Sequence, residues 1–246
     1  MTTAQHRLEQ IIQRQDTWRG YRPVFAPPGM HGNDDTPAGE GLATGYRQLD
    51  EALVQGGWPR GTSIEVLSDG CGMGAMGLFL PAMEQLTTQG RWQAFIAPPY
   101  TPYAPLLAAR GIDTGQVLLV HPQSREDLLW STEQALRSST CSIVFSWLGA
   151  ADYRYSELRK LQLAAASSDT LAVLFRASQA AQNHAPAGLR LQMREYRQVH
   201  ILKQRGGIQR QDVSLSPDQD IPHQPQLWEL PAVDDPVLAG HSARAG

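Results

Sequence analysis

The sequence predicts an α/β fold with a mostly parallel sheet that finishes in an antiparallel hairpin. Three observations predict it. Between residues 63 and 175 short apolar runs alternate with helix-length segments, the pattern of parallel strands joined by right-handed crossovers. The first of these runs leads into a glycine-rich turn, "LSDGCGMGAMGLF", and then into a helical stretch, which is the setting of a phosphate-binding loop. After Phe175 the rhythm changes to strand-like runs joined by Gly206 and Gly207, a hairpin signal.

The elements follow in order. Leu8, Ile11, Ile12 and Trp18 space a short amphipathic helix over residues 5–19. Residues 20–40 hold proline, glycine and aspartate clusters and read as a linker, so 1–40 form an N-terminal helix and linker. The core is expected over 41–216. It opens with "GLATGYRQLDEALVQGGWPRG", in which Leu49 and Leu53 share a helix face that Gly56 and Gly57 terminate. Strands are expected at 63–67, 92–97, 117–120, 142–147 and 170–175, and helices at 76–89, 102–110, 124–138 and 154–166. Residues 189–204 and 209–215 are strand-like. From 217 to 246 the chain carries Pro217, Pro222, Pro225, Pro231 and Pro236 among small and acidic residues, and a disordered tail is expected.

Composition narrows the classes. A net charge of −3 excludes a broadly basic nucleic-acid binder, so any DNA contact has to come from a local patch. Two cysteines, Cys71 and Cys141, are too few for a disulfide framework and suit a reducing compartment. The first residues show no secretory signal, and no run approaches the eighteen apolar residues of a membrane span. A cytoplasmic protein is expected.

The glycine-rich turn lacks the groups that a phosphate loop uses. A working G-x-x-x-x-G-K-[ST] loop needs glycines for backbone approach, a lysine for the terminal phosphates and a hydroxyl for Mg²⁺. Gly70, Gly72, Gly74 and Gly77 keep part of the turn. With Met73 at the last glycine position, Gly74 stands for the lysine and Ala75 for the threonine, and residues 1–159 contain no lysine at all. Run 92–97 leads into Pro98, Pro99 and Tyr100 where a carboxylate base is wanted, and run 142–147 closes on Ser146 and Trp147 where a metal-holding aspartate is wanted. The expectation is a pseudo-ATPase with degenerate Walker motifs and no cofactor, metal or catalytic residue.

These residues carry a resemblance. "TGYRQLDEALVQGGWPRGTSIEVLSDG" resembles the start of the RecA core. "AFIAPPYTPYAPLLAARGIDTGQVLLVHP" resembles its next unit, with Pro99 near the catalytic glutamate position. "DLLWSTEQALRSSTCSIVFSWLGA" resembles the unit after that, with Ser146 at the Walker-B aspartate position, and "LRKLQLAAASSDTLAVLF" the one following. The match runs over about residues 41–205, and it implies a RecA-like P-loop NTPase core. More narrowly, the degenerate loop, "RWQAFIAPPYTPYAP", "LLWSTEQALRSS" and the leading "RQDTWRG" resemble the ImuA family of RecA-like accessory proteins in SOS-induced mutagenesis. The cell-division inhibitor SulA shares "RWQ" and a "WL" ending the later strand. The ImuA resemblance implies a non-catalytic adaptor in translesion synthesis, with ImuB and an error-prone DnaE-type polymerase as partners and RecA as a further contact. The alternatives are a SulA-like inhibitor of the tubulin-like division protein and an ATPase with unorthodox ligands.

Several other clusters have competing readings. Arg190, Arg194, Arg197, Lys203, Arg205 and Arg210 form a basic strip with Glu195 as its one acid close in sequence. It reads as a phosphate-contacting surface, a docking face for an acidic partner, or a solvated hairpin. Residues 178–188 hold no lysine or arginine and read as surface loop. Trp18, Tyr21 and Phe25 suit docking on a neighbouring subunit or a RecA end, or a helix folded back on its own core. In the tail, Leu227, Trp228 and Leu230 of "PQLWELP" form an apolar cluster that reads as a partner-binding motif or as a segment tucked against the core. The seven histidines show no metal-site spacing, and Ser68, Ser142 and Ser146 have no paired histidine and acid.

Overall fold

Strands β1 (Ser63–Leu67), β2 (Trp92–Ile96), β3 (Val117–Val120), β4 (Cys141–Gly149), β5 (Leu171–Arg176), β6 (Leu189–Glu195), β7 (Gln198–Gln204) and β8 (Gln211–Ser214) join in one sheet. Their order is β3-β2-β4-β5-β1-β6-β7-β8. The computed structural model describes residues 41–69, 73–195, 197–208 and 210–215. The first six strands run parallel, with β1 between β5 and β6, and β7 and β8 complete an antiparallel meander. The mixed α/β class and the antiparallel ending agree with the sequence.

Six described helices cover the sheet: α1 (Arg47–Ala52), α2 (Met73–Gly77), α3 (Leu80–Thr87), α4 (Ala104–Ala109), α5 (Arg125–Arg137) and α6 (Tyr155–Ala166). Strand side chains alternate between two cores, because successive Cβ atoms point to opposite faces. Ile64, Val66, Phe95, Phe145, Val173 and Phe175 pack with Leu49 of α1, Met83 of α3 and Leu107 of α4. Ala94, Ile96, Val144, Leu148, Ala172 and Leu174 pack with Leu128 and Leu136 of α5 and Leu158 and Leu161 of α6. The strands are apolar on both faces because both faces are covered.

Local chemistry sets the helix ends. Ser124 caps α5, its Oγ accepting from the Asp127 amide at 3.0 Å, with Glu126 and Asp127 in the first turn and Arg137 in the last. Glu157 closes the start of α6 by accepting from the Arg154 amide at 2.7 Å. Buried Gln162 on α6 ties that helix to β1, accepting from the Ser63 amide at 2.8 Å and the Ser63 hydroxyl at 2.7 Å.

Two expectations are corrected. The helix expected over 76–89 is split into α2 and α3 by a turn at Leu78 and Phe79. Pro81 explains the break: it has no amide hydrogen, and its ring would strike the Gly77 carbonyl of a continuous helix. Pro81 also packs against Gly45, where φ is +80° and a Cβ would collide with the ring. The single run expected over 189–204 is a hairpin, β6 to β7, that turns before Arg197 at φ +64°. Its turn lacks the usual glycine or asparagine signal. The Gly206 and Gly207 turn joins β7 to β8 as expected. No described helix is long and apolar enough to cross a membrane.

Candidate docking site at the carboxyl edge of the sheet

The connections after β1, β2, β4 and β5 converge at the carboxyl ends of the parallel strands, where open α/β sheets hold their ligands. Trp147, near the end of β4, stands at the centre of this rim. Its ring stacks on Phe175 at 4.7 Å between centroids, and Phe95 lies parallel to it at 6.0 Å. The aromatic packing continues through Phe145 and Phe79 to Trp58, which stacks on Phe79 at 4.4 Å. A rigid ladder of rings thus supports Trp147 from the core.

Two hollows flank Trp147. The first, about 300 Å³, lies between α2, α3 and residues 98–107, and is walled by Met76, Leu80, Pro99, Tyr103 and Leu106. None of its described lining residues is charged. Tyr100 and Tyr103 stand 58% and 56% exposed on its lip, which makes large apolar rings available to a partner. The chain enters this wall through Ala97, held at φ +54° immediately before Pro98, a position where L-residues are strained. The second hollow, about 430 Å³, lies between Ser68, Asp69, Ala97, Gly149, Phe175 and Arg176. Among its described lining residues Asp69 is the one carboxylate and Arg176 the one cation.

Ser146 does not face either hollow. Strand alternation turns it to the opposite side from Trp147, where it is fully buried. There it lies 2.8 Å from Thr132 Oγ1 on α5. The Thr132 hydroxyl donates to the Leu128 carbonyl at 2.8 Å, so Ser146 is the donor of the pair. The serine is a cross-link between sheet and helix.

The loop after β4 is fastened at the rim. Arg125 of α5 donates to Glu157 Oε2 of α6 at 2.6 Å, and its guanidinium sits 4.7 Å over the Tyr153 ring. Tyr153 in turn donates to the Leu148 carbonyl at 3.1 Å. The Arg125 hydrogen bond holds the Glu157 carboxyl below the usual glutamate range, and burial pushes the Tyr153 phenol up.

The basic strip is not one surface. Arg190 is buried, and its Nε donates to Glu65 Oε2 on β1 at 2.8 Å. Arg176 reaches the other oxygen of Glu65 at 3.3 Å, so one buried carboxylate balances two buried guanidiniums. Arg190 also donates to the Ala180 carbonyl at 2.8 Å, and Lys203 to the Ala185 carbonyl at 3.0 Å. Both cations therefore pin the segment over residues 180–185 from beneath. Burial, with Arg190 close by, holds the Lys203 ammonium below the usual lysine range. Arg205 and Arg210 are exposed, Arg197 is half-buried, and Arg194 lies 3.6 Å from Asp212. The exposed remainder is smaller than the sequence suggests, which corrects the reading of six residues as a common surface.

Of the remaining expected positions, Gly74 and Gly77 fall in α2. Gly70 and Gly72 lie outside the described residues, as do Trp18, Leu227, Trp228 and Leu230. Sequence reasoning missed Glu65 and Arg176. Their signal was a lone acid inside the apolar run "SIEVL" and a lone arginine ending "LAVLFR". The apolar hollow was missed because three separated segments build it.

A family model described as "Cell division inhibitor SulA" matches residues 63–172, which run from β1 to the start of β5. The chain is 34% identical over 71 residues to SulA of Edwardsiella piscicida, covering 29% of this chain and 42% of that protein. It is 32% identical over 117 residues to RecA of Corynebacterium aurimucosum, covering 46% of this chain and 30% of that one. To RecA of Borreliella burgdorferi it is 29% identical over 113 residues, covering 45% and 31%. The chain thus spans less than half the length of these curated relatives. The crystal structure of SulA from Pseudomonas aeruginosa aligns with a TM-score of 0.38 at 24% identity, over 48% of this chain and 99% of that one. The chain is similar to SulA over its parallel half and to RecA over a comparable stretch.

Proposed function

We propose that this chain is a non-catalytic RecA-like adaptor of the SOS response, serving translesion synthesis and mutagenesis beside ImuB and a DnaE-type polymerase, with RecA as a further contact. Similarity to both SulA and RecA supports a role in the damage response. The "RWQAFIAPPYTPYAP" and "LLWSTEQALRSS" stretches support the finer reading. The observation that carries the non-catalytic part is the rim at the carboxyl edge. A nucleotide site needs a cation and a metal-holding carboxylate there. Here the hollow between α2, α3 and residues 98–107 has Pro98, Pro99, Tyr100, Tyr103 and Trp147 on its described walls and no charge there, Ser146 is turned into the other core, and Arg176, which lines the second hollow with Asp69, is committed to Glu65. Such a wall suits the side chains of a protein partner better than a triphosphate.

The test pairs two measurements on the full chain. Titration with Mg-ATP is expected to give no saturable heat and no turnover, and affinity purification from DNA-damaged cells is expected to recover ImuB and the polymerase. A magnesium-dependent ATP complex would overturn the pseudo-ATPase reading.

A second reading is favoured by the SulA family match over residues 63–172. In it the same rim binds the tubulin-like division protein and blocks division. Expression in undamaged cells separates the two: filamentation together with recovery of the division protein supports this reading, and normal division with recovery of ImuB supports the first.

A further inference from the structure

The hollow beside Trp147 is an apolar site open to solvent. Its described walls carry no charge, and Tyr103 and Tyr100 leave more than half of their surface in solvent. An occupant held there must bring apolar and aromatic groups.

The path of the chain indicates which segment can bring them. β6 runs parallel to β1, β7 returns, and β8 runs parallel to β1 again. The chain therefore leaves β8 at the carboxyl edge of the sheet, the edge on which the hollow opens. Leu215 is fixed there, its amide donating to the Arg197 carbonyl at 2.8 Å. From β8 to β4 the sheet order counts five strand spacings, about 24 Å at ~4.8 Å each. Between Leu215 and Leu227 lie enough residues to span up to about 40 Å. The reach exceeds the distance with a modest margin.

Composition then singles out the segment. Among residues 216–246, Trp228 is the one aromatic side chain, and Leu227 and Leu230 flank it. Pro225 and Pro231 bracket the cluster and favour an extended backbone, which lowers the entropy lost on seating it.

We propose that Leu227, Trp228 and Leu230 of this same chain seat in the hollow formed by Met76, Leu80, Pro99, Tyr103 and Leu106. A tether of this length supplies an effective concentration on the order of millimolar. The inference concerns only residues of this chain and stands apart from the identity of any partner.

The experiment uses the full chain with the photocrosslinker benzoylphenylalanine in place of Trp228, as an equal mixture of unlabelled and ¹⁵N-labelled protein. Irradiation is expected to give crosslinks within one chain, to peptides containing Met76 and Leu80 or Tyr103 and Leu106. Tyr103→Asp, a change at an exposed side chain, is expected to reduce them about tenfold with the circular dichroism spectrum unaltered. Groove crosslinks of which about half join a labelled to an unlabelled chain, as contact between chains requires, crosslinks that map elsewhere, or groove crosslinks indifferent to Tyr103→Asp would overturn the proposal.

Discussion

Glu65 Oε2 accepts a hydrogen bond from Arg190 Nε across β1 and β6 at 2.8 Å, with both side chains buried. Arg176 completes the cluster from β5. β1 is distant in the chain from β5 and β6, and β6 is the strand from which the antiparallel meander starts, so this cluster joins the parallel strands to that end of the sheet. Replacing Glu65 by Gln leaves two guanidiniums buried with no balancing charge. The expected loss is about 3–5 kcal/mol in chemical denaturation. A loss below about 1 kcal/mol would show that the cations reach solvent.

Ser146 offers a sharper contrast. Ser146→Ala removes one hydrogen bond and leaves Thr132 still donating to Leu128, so the expected cost is about 1 kcal/mol. Ser146→Asp places a carboxylate in an apolar core against α5 and is expected to cost several times more. It should not create a magnesium site, since the side chain points away from the hollow beside Trp147. Magnesium-dependent nucleotide binding by Ser146→Asp would refute that geometry.

The divided basic strip limits any affinity for DNA. Arg190 and Lys203 are committed to Glu65, Ala180 and Ala185. If the other four cations all met phosphate, binding to a duplex would weaken by about 10² between 50 and 200 mM salt, against about 10³ for six contacts. Fluorescence anisotropy at the two salt concentrations distinguishes these values.

Acid should loosen the fastening between α5 and α6. The native Glu157 carboxyl is held low by Arg125, so its contribution to stability is complete above the ordinary glutamate pKa of 4.5 and is lost as pH falls through the lower native value. The acid limb of a pH–stability curve is expected to flatten in Glu157→Gln. An unchanged limb would mean that the Arg125 pair contributes nothing.

The parallel strands were legible because each is a short apolar run set between helix-length segments, and burial on both faces makes such runs continuous. The helix break was legible in principle at Pro81, where the missing amide outweighs the helical periodicity around it. The turn between β6 and β7 was not, since Arg197 adopts a positive φ without any of the usual turn residues nearby. At the rim, Pro99 was visible in the sequence as a proline where a carboxylate base is wanted, and Tyr103 was read into the helix expected over 102–110, whereas it stands just before α4. Their meeting with Met76 and Trp147 depends on the order of strands, which residue spacing does not encode. Arg190 looked exposed because its partner Glu65 lies 125 positions away.

The position of β1 bears on how the molecule is made. It is the first of the described strands to be synthesised, yet its two neighbours are β5 and β6. Until residue 176 has been synthesised both its backbone edges await their native partners, and the edge that pairs with β6 waits until residue 195. Folding must therefore wait on late, distant pairings, which slows the search and prolongs exposure of sticky intermediates. A fragment cut at residue 172 would strand β1 without a complete neighbour on either side.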